Sequence, residues 1–85
     1  MEERKVFETI REIVMQKLNL TDQVEKITPE VDLAKDFHVN SMKLINLIGH
    51  LEDEFNIELD IDALETETLT NLSKLTSLIQ KIVYT

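Results

Sequence analysis

The sequence predicts an all-α fold, and three observations carry that prediction. Apolar residues recur at three- and four-residue spacings in three separate stretches, which is the pattern of amphipathic helices. No stretch alternates apolar and polar residues for long enough to indicate a strand. The 85 residues include one Gly and one Pro, too few for a turn-rich β fold. We therefore expect a small bundle of three main helices and one short helix, with a long first loop.

The first helix is predicted over residues 3–18. Its apolar stripe recurs at spacings of three, four and four residues, as Phe7, Ile10, Val14 and Leu18. Residues 19–40 hold the only Pro and lack a long period, so they are expected to form a connection. The expected apolar anchors of this connection are Ile27, Val31, Leu33 and Phe37. Connections of this length are usually functional or contain short structure of their own.

The second helix is predicted from Met42 to Phe55. At 100° per residue, its core side chains share an arc of about 100°. They are Leu44, Leu47, Ile48, Leu51 and Phe55. A second face collects Met42, Ile45, Asn46, Gly49, Glu52, Asp53 and Asn56. A small apolar patch beside carboxylates is the composition of a weak docking site, although scattered surface apolar residues are also common.

Gly49 lies inside the predicted second helix, where it costs about 1 kcal/mol relative to Ala. Close approach of a partner's backbone would offset that cost, but neutral drift would also explain the Gly. Residues 56–60 then interrupt the helical pattern, and residues 61–65 are expected to form a short helical turn. The last helix is predicted at roughly Thr70 to Val83. Its apolar markers are Leu69, Leu72, Leu75, Ile79 and Ile82.

Length and composition limit the classes of protein. Residues 1–85 are expected to form one domain, because a second core needs more chain. The absence of Cys excludes a disulfide scaffold, a thiolate zinc site and a cysteine nucleophile. No apolar run approaches the ~18 residues of a membrane span, and the start Met-Glu-Glu-Arg-Lys does not resemble a signal peptide. We expect a cytoplasmic protein without stable membrane insertion.

The net charge of −8 is concentrated in one segment. Residues 44–73 contain eight acids and no Lys or Arg, while the nine acids elsewhere balance the nine bases. The eight acids are Glu52, Asp53, Glu54, Glu58, Asp60, Asp62, Glu65 and Glu67. Such a field repels phosphate backbones, so nucleic acid is not an expected partner. It attracts proteins that carry a basic patch, although acids in such numbers also serve only to keep a small protein soluble.

Asn40 and Ser41 precede the periodic residues of the second helix. Asn is among the best N-cap residues, and with Asn40 as the cap Ser41 takes the first helical position. Its hydroxyl then lies near unpaired amides and the positive end of the helix dipole, which would stabilise an attached phosphate. The residues alone leave open that Ser41 is itself the cap.

Two segments resemble the acyl carrier protein family. They are residues 36–42, Asp-Phe-His-Val-Asn-Ser-Met, and residues 51–59, Leu-Glu-Asp-Glu-Phe-Asn-Ile-Glu-Leu. The family pattern is a loop that ends in Asp-Ser-Leu, followed by a helix that closes on Leu-Glu-Glu-(Glu/Asp)-Phe. The upstream run of residues 32–37, Asp-Leu-Ala-Lys-Asp-Phe, matches the family's loop before the serine. The resemblance covers essentially the whole chain.

The resemblance implies a carrier and not an enzyme. Ser41 would bear 4′-phosphopantetheine through a phosphodiester, installed from coenzyme A by a phosphopantetheinyl transferase with magnesium. Acyl groups would travel as thioesters on its thiol, in fatty acid or specialised lipid or polyketide synthesis. A monomer is expected, because one serine must reach many partner enzymes.

The resemblance also assigns further residues, with Asn40 as the helix cap beside Ser41. The docking face toward basic patches on acyl-transferring or synthase enzymes would be Met42, Ile45, Gly49, Glu52 and Asp53. The walls of an acyl pocket would be Leu47, Leu51, Leu59 and Leu64, whose ordinary interpretation is core.

Several positions depart from the family pattern. Asn40 replaces the usual Asp and loses its charge, and Met42 replaces Leu. Lys43 and Asn46 stand where acids are frequent, and His38 where Gly is frequent. These departures favour a dedicated carrier for a modified lipid, polyketide, peptide or aminoacyl group. An unmodified acidic helical interaction module, or an aminoacyl or peptidyl carrier, remains the alternative.

A metal site is not expected from the sequence. His38 and His50 lack a recognisable ligand spacing, and the acidic segment lacks the Gly of an EF-hand loop.

Overall fold

The computed structural model describes residues 3–83; Met1, Glu2, Tyr84 and Thr85 lie outside that range. The described residues form five α-helices and two 3₁₀ helices, and no strand. The α-helices are α1 (Glu3–Lys17), α2 (Leu33–Phe37), α3 (Ser41–Phe55), α4 (Thr66–Thr70) and α5 (Leu72–Val83). The 3₁₀ helices are Thr21–Lys26 and Ile61–Ala63. The predicted all-α class is confirmed.

Helix α1 forms as its periodicity predicts, but its buried stripe is shifted by part of a turn. Ile10 and Val14 are completely buried, and Val6 joins them where the sequence pattern indicated Phe7. Phe7 and Leu18 are half-buried against the same cluster. The helix ends at Lys17, and the turn after it contains Asn19, whose φ of 57° is left-handed, a conformation that Asn tolerates better than most side chains with a Cβ.

The long connection is largely structured. It contains the 3₁₀ helix Thr21–Lys26 and helix α2, neither of which has an apolar period of its own. The expected anchors Ile27, Val31 and Leu33 are buried, and Phe37 is half-buried against the core. The amide of Leu72 donates to the carbonyl of Val31 over 2.9 Å, which ties the connection to the start of α5.

Helix α3 buries the predicted arc of Leu44, Leu47, Ile48 and Leu51, with Phe55 half-buried at its end. The helix stops at Asn56, which adopts a left-handed φ of 54°. The amides of Asn56 and Ile57 both donate to the Glu52 carbonyl, so the last turn closes on itself.

The predicted break at residues 56–60 and the short turn near residue 61 are both present. The last helix begins at Leu72 rather than Thr70, because helix α4 occupies Thr66–Thr70 and Asn71 separates the two. Helix α4 has no helical period in the sequence and holds its place through buried Leu69 and Thr70.

The buried apolar side chains form one cluster, contributed by every main helix. Helix α1 packs chiefly against α5 and α3, and α4 packs against α5. The cluster consists of Val6, Ile10, Val14, Ile27, Val31, Leu33, Leu44, Leu47, Ile48, Leu51, Leu59, Leu69, Leu72, Leu75 and Ile79. Within residues 3–83 no helix is long and apolar enough to cross a membrane.

Candidate functional site

Ser41 is the first residue of α3, and Asn40 is its N-cap. The Asn40 backbone is extended, with φ −82° and ψ 173°, and its Oδ1 accepts a hydrogen bond from the Lys43 amide at 2.9 Å. The Asn40 carbonyl accepts the first helical bond, from the Leu44 amide at 2.9 Å. Because the cap function is taken by Asn40, the Ser41 side chain is exposed to solvent at the helix start.

This arrangement suits a phosphate ester on Ser41. The first amides of a helix have no intrahelical partner, and here only that of Lys43 is taken by the cap side chain. The first turn of α3 holds no acid and contains Lys43. An anion on the Ser41 oxygen therefore meets amide donors and the positive end of the dipole without a neighbouring carboxylate in that turn.

The segment before Ser41 is held by the end of α2. His38 is the C-cap residue, with a left-handed φ of 55°, and its amide donates to the Leu33 carbonyl. The Val39 amide donates to the same carbonyl at 3.1 Å. The half-buried Val39 packs against the core. The position of Ser41 thus depends on helix α2, which has five residues and is stabilised by contacts with other parts of the chain.

A buried carboxylate stabilises that short helix. Asp32 Oδ1 caps α2 by accepting from the amides of Ala34 and Lys35, at 2.9 and 3.0 Å. Its Oδ2 accepts from the Thr70 hydroxyl at 3.1 Å. Burial raises the pKa of Asp32, but the hydrogen bonds from Lys35, Thr70 and Ala34 and the Lys35 charge outweigh it. The pKa of Asp32 is therefore below its usual value.

The residues expected to form a docking face divide into two groups. Met42 and Ile45 are 74% and 55% exposed, and Asp53 is also exposed. With Gly49 they lie within an arc of about 80° on α3, counted at 100° per residue. A Cβ placed on Gly49 meets nothing within 4 Å, so the surface there is open.

Glu52 differs from the others. It is half-buried, and its Oε2 accepts a hydrogen bond from the Leu59 amide at 2.7 Å. Its carboxylate therefore holds the segment after α3 against the helix. Glu52, Asp53, Glu58 and Leu59 line a groove at this end of α3.

The residues expected to form acyl-pocket walls lie in or against the packed core. Leu47, Leu51 and Leu59 are buried members of the cluster, and Leu64 is half-buried against it. Leu59 also lines the acidic groove at the end of α3, whereas Leu47 lines a different groove on the flank facing α1. The structure thus brings the four into one core but not to one surface opening.

That second groove, of about 330 Å³, was not predicted from the sequence. It lies between the end of α1 and α3, and its polar side chains include Lys17, Lys43 and His50. The spacing of Lys43 and His50 on one flank of α3 is visible in the sequence, but the position of Lys17 beside them depends on helix packing. Within residues 3–83 no three His, Asp or Glu side chains come together as a metal site.

Comparison with known proteins gives one family. The family model described as "Phosphopantetheine attachment site" matches residues 8–79. The chain is 37% identical over 75 residues to the acyl carrier protein of Buchnera aphidicola subsp. Baizongia pistaciae, covering 88% of this chain and 91% of that protein. It is 32% identical over 77 residues to that of Saccharopolyspora erythraea, covering 89% and 79%. It is 29% identical over 75 residues to that of Helicobacter pylori, covering 88% and 91%.

Proposed function

The chain belongs to the acyl carrier protein family, and we propose from this premise that Ser41 bears its 4′-phosphopantetheine. Members of this family are carriers and not enzymes, and the cofactor supplies the thiol that holds acyl groups as thioesters. The chain has no Cys, so no thiol of its own competes for the acyl group.

One observation supports Ser41 above all: it is an exposed hydroxyl at the first position of α3, with Asn40 serving as the cap in its place. Loading forms a bond from Ser41 Oγ to the pantetheine-bearing phosphorus of coenzyme A. The diphosphate bond breaks, adenosine 3′,5′-bisphosphate leaves, and the hydroxyl proton passes to a base of the transferase. The α3 amides and dipole stabilise the resulting phosphodiester.

His38 supports the same assignment. It stands where the family often has Gly, and its φ of 55° is the left-handed conformation that Gly adopts most easily. A Gly at this position could therefore adopt the same backbone conformation. The conformational cost of a left-handed His is offset by two hydrogen bonds, which the amides of His38 and Val39 donate to the Leu33 carbonyl at the end of α2.

We propose that the exposed face of α3 formed by Met42, Ile45, Gly49 and Asp53 contacts the phosphopantetheinyl transferase and the acyl-transferring or synthase enzymes. Two exposed apolar side chains give a small contact, and the acids that follow attract basic patches. Glu52 contributes charge to this face and also stabilises the exit from α3. Weak contacts of this kind release quickly, which a carrier with several partners requires.

We also propose that the carried acyl chain is sheltered among Leu47, Leu51, Leu59 and Leu64. These side chains are apolar and share the core cluster or its margin, so an acyl chain would enter by separating α3 from the segment that follows it.

The pathway is proposed from the departures at Asn40, Lys43 and Asn46, which make the start of α3 less acidic than the family pattern. They favour a carrier dedicated to a modified lipid, polyketide, peptide or aminoacyl group over general fatty acid synthesis. A cytoplasmic monomer is proposed because one serine must reach many partner enzymes. The half of α3 nearest Ser41 would then select partners with a less basic contact surface.

The experiment is intact mass spectrometry before and after incubation with coenzyme A, magnesium and a broad-specificity phosphopantetheinyl transferase. A gain of one phosphopantetheine, absent in Ser41→Ala, supports the proposal. Ser73→Ala is the matched control, because Ser73 is also an exposed serine but lies on α5. Modification that persists in Ser41→Ala, or no gain with several transferases, contradicts it and leaves an unmodified interaction module.

A further inference from the structure

The groove between α1 and α3 differs in charge from the rest of the molecule. Its polar side chains are Lys17, Lys43, His50, Asn19 and Asn46, all of them exposed. A smaller groove continues it past Lys43 to His38. The sequence has 17 acids, yet none of those whose side chains the structure describes lines either groove.

Among the side chains that the structure describes, the cations of this groove form no ion pair. The ion pairs there join Arg4 to Glu8 and Lys74 to Glu67, so Lys17 and Lys43 take part in neither. Exposed lysines are common, but these two come from different helices and line one groove without an intervening carboxylate. Two ammonium groups and an imidazole around one concave surface attract an anion.

Two of the seven residues that line the groove are apolar. They are Leu47, which is buried, and Leu18, which is half-buried. The other five lining residues are polar, and the volume of about 330 Å³ is within the range of small-molecule sites. The groove therefore suits a group with a short apolar stem and an anionic end.

The groove also lies beside the attachment residue. Lys43 is two residues beyond Ser41 on α3, and His38 is three residues before it. Lys43, Asn46 and His50 share an arc of about 60° on α3, counted at 100° per residue. A group attached to Ser41 can therefore contact this flank of α3 on the same molecule.

We propose that this groove binds the terminal carboxylate of an acyl group carried on Ser41. The inference rests on the attachment to Ser41 proposed above. A flexible tether gives its free end a local concentration in the millimolar range, so weak contacts to exposed cations are enough to populate the site. The groove thereby favours carboxyl-ended acyl groups over neutral ones of the same length.

The first test compares two loaded forms of the carrier. The protein is loaded from glutaryl-coenzyme A or from pentanoyl-coenzyme A, whose acyl groups have equal length and differ in the terminal carboxylate. Loading is checked by mass before ¹H–¹⁵N NMR spectra are recorded. Shifts are measured relative to the protein loaded from coenzyme A itself. Against that reference, the glutaryl form is expected to shift the resonances of Lys43, Asn46 and His50, and the pentanoyl form to leave them unchanged.

Variants identify the groups responsible. Lys17→Gln and Lys43→Gln are each expected to reduce the glutaryl-specific shifts, and Lys26→Gln, at an exposed lysine that does not line the groove, to leave them intact. In 1 M salt, where the screening length falls to about 3 Å, the shifts should disappear.

A second test needs no attachment. Free glutarate titrated into the unloaded protein is expected to move the same resonances weakly, with roughly two- to fivefold lower affinity in Lys43→Gln. Absence of a mass gain on loading overturns the proposed function, and the cargo proposal with it. Equal groove shifts in the two loaded forms, or shifts with free glutarate alone, overturn the cargo proposal while attachment at Ser41 stands.

Discussion

The Thr70 hydroxyl donates a hydrogen bond to Asp32 Oδ2 over 3.1 Å, although the two residues lie 38 positions apart. Both are buried, with 3% and 9% of their surface exposed. The other oxygen of the same carboxylate caps α2, which leads into Asn40 and Ser41. One side chain therefore joins the last third of the chain to the segment that positions the attachment serine.

Thr70→Val should destabilise the fold by about 1–3 kcal/mol, because it leaves Asp32 Oδ2 without its buried donor. The free energy of unfolding in urea measures this. Thr66→Val, at an exposed position on the same helix, is the control and should change it by no more than about 0.5 kcal/mol. Equal effects of the two variants would contradict a specific role for the Asp32–Thr70 bond.

Asp32 should contribute a pH-dependent part of the stability. Its pKa is lowered in the folded state, so the contribution is present above the unfolded value of about 3.9 and is lost as pH falls through the folded pKa. In Asp32→Asn the cap oxygen remains, but the charge and the acceptor for Thr70 are lost. The difference in unfolding free energy between wild type and variant should be constant from pH 7 to about 5 and shrink below about 4. A difference that does not change down to pH 2 would contradict this.

Substitution of Glu52 should lower the stability of the fold, whereas substitution of Asp53 should weaken docking to partner enzymes. Glu52→Ala removes the acceptor of the Leu59 amide and should cost about 1–2 kcal/mol, whereas Asp53→Ala, at an exposed side chain, should cost little. Asp53→Ala should instead slow loading by a basic transferase, and more so at low salt. Glu52→Gln keeps an acceptor and tests the charge of Glu52 alone. Thermal unfolding and initial loading rates give the two readouts.

Gly49→Ala should stabilise the free protein by about 0.5–1 kcal/mol, because a Cβ there meets nothing within 4 Å and Ala is the better helix former. If a partner's backbone lies close to Gly49 in the complex, the same change should raise the KM for loading. Loading kinetics unchanged in a stabilised Gly49→Ala protein would remove Gly49 from the docking face.

Asn40 offers a matched pair of substitutions. Asn40→Ala should cost about 1 kcal/mol through loss of the bond to the Lys43 amide. Asn40→Asp keeps the cap and should gain about 0.3–1 kcal/mol, because a negative charge is favourable at a helix N-terminus. Faster loading of Asn40→Asp by a general transferase would show that the enzyme recognises the negative charge at this position. Slower loading would indicate a transferase adapted to Asn.

The main helices were predictable because their signals are local. The period of α3 lies within 15 residues, its start is indicated by Asn40 and its end by Asn56, each within one turn of the helix it bounds. The same local signals predict which side chains α3 buries. They leave open whether Asn40 or Ser41 is the cap, and the structure makes Asn40 the cap and Ser41 the first helical residue.

Helices α2 and α4 were not predictable in this way. Each has five residues, too few to show a period or to be stable in isolation. They form because Asp32 and Thr70 meet across the chain and because Leu33 and Leu69 enter the common core.

The sequence by itself determined the helical class, the end of α3, its start to within one residue, and the segment that holds the excess negative charge. Only the tertiary structure decided that Glu52 turns its carboxylate to Leu59, that Asp32 meets Thr70, and that Lys17 lies beside Lys43. Helical periodicity and capping depend on residues within one or two turns of the same helix. Contacts between distant segments depend on how the helices pack, and no local pattern encodes that.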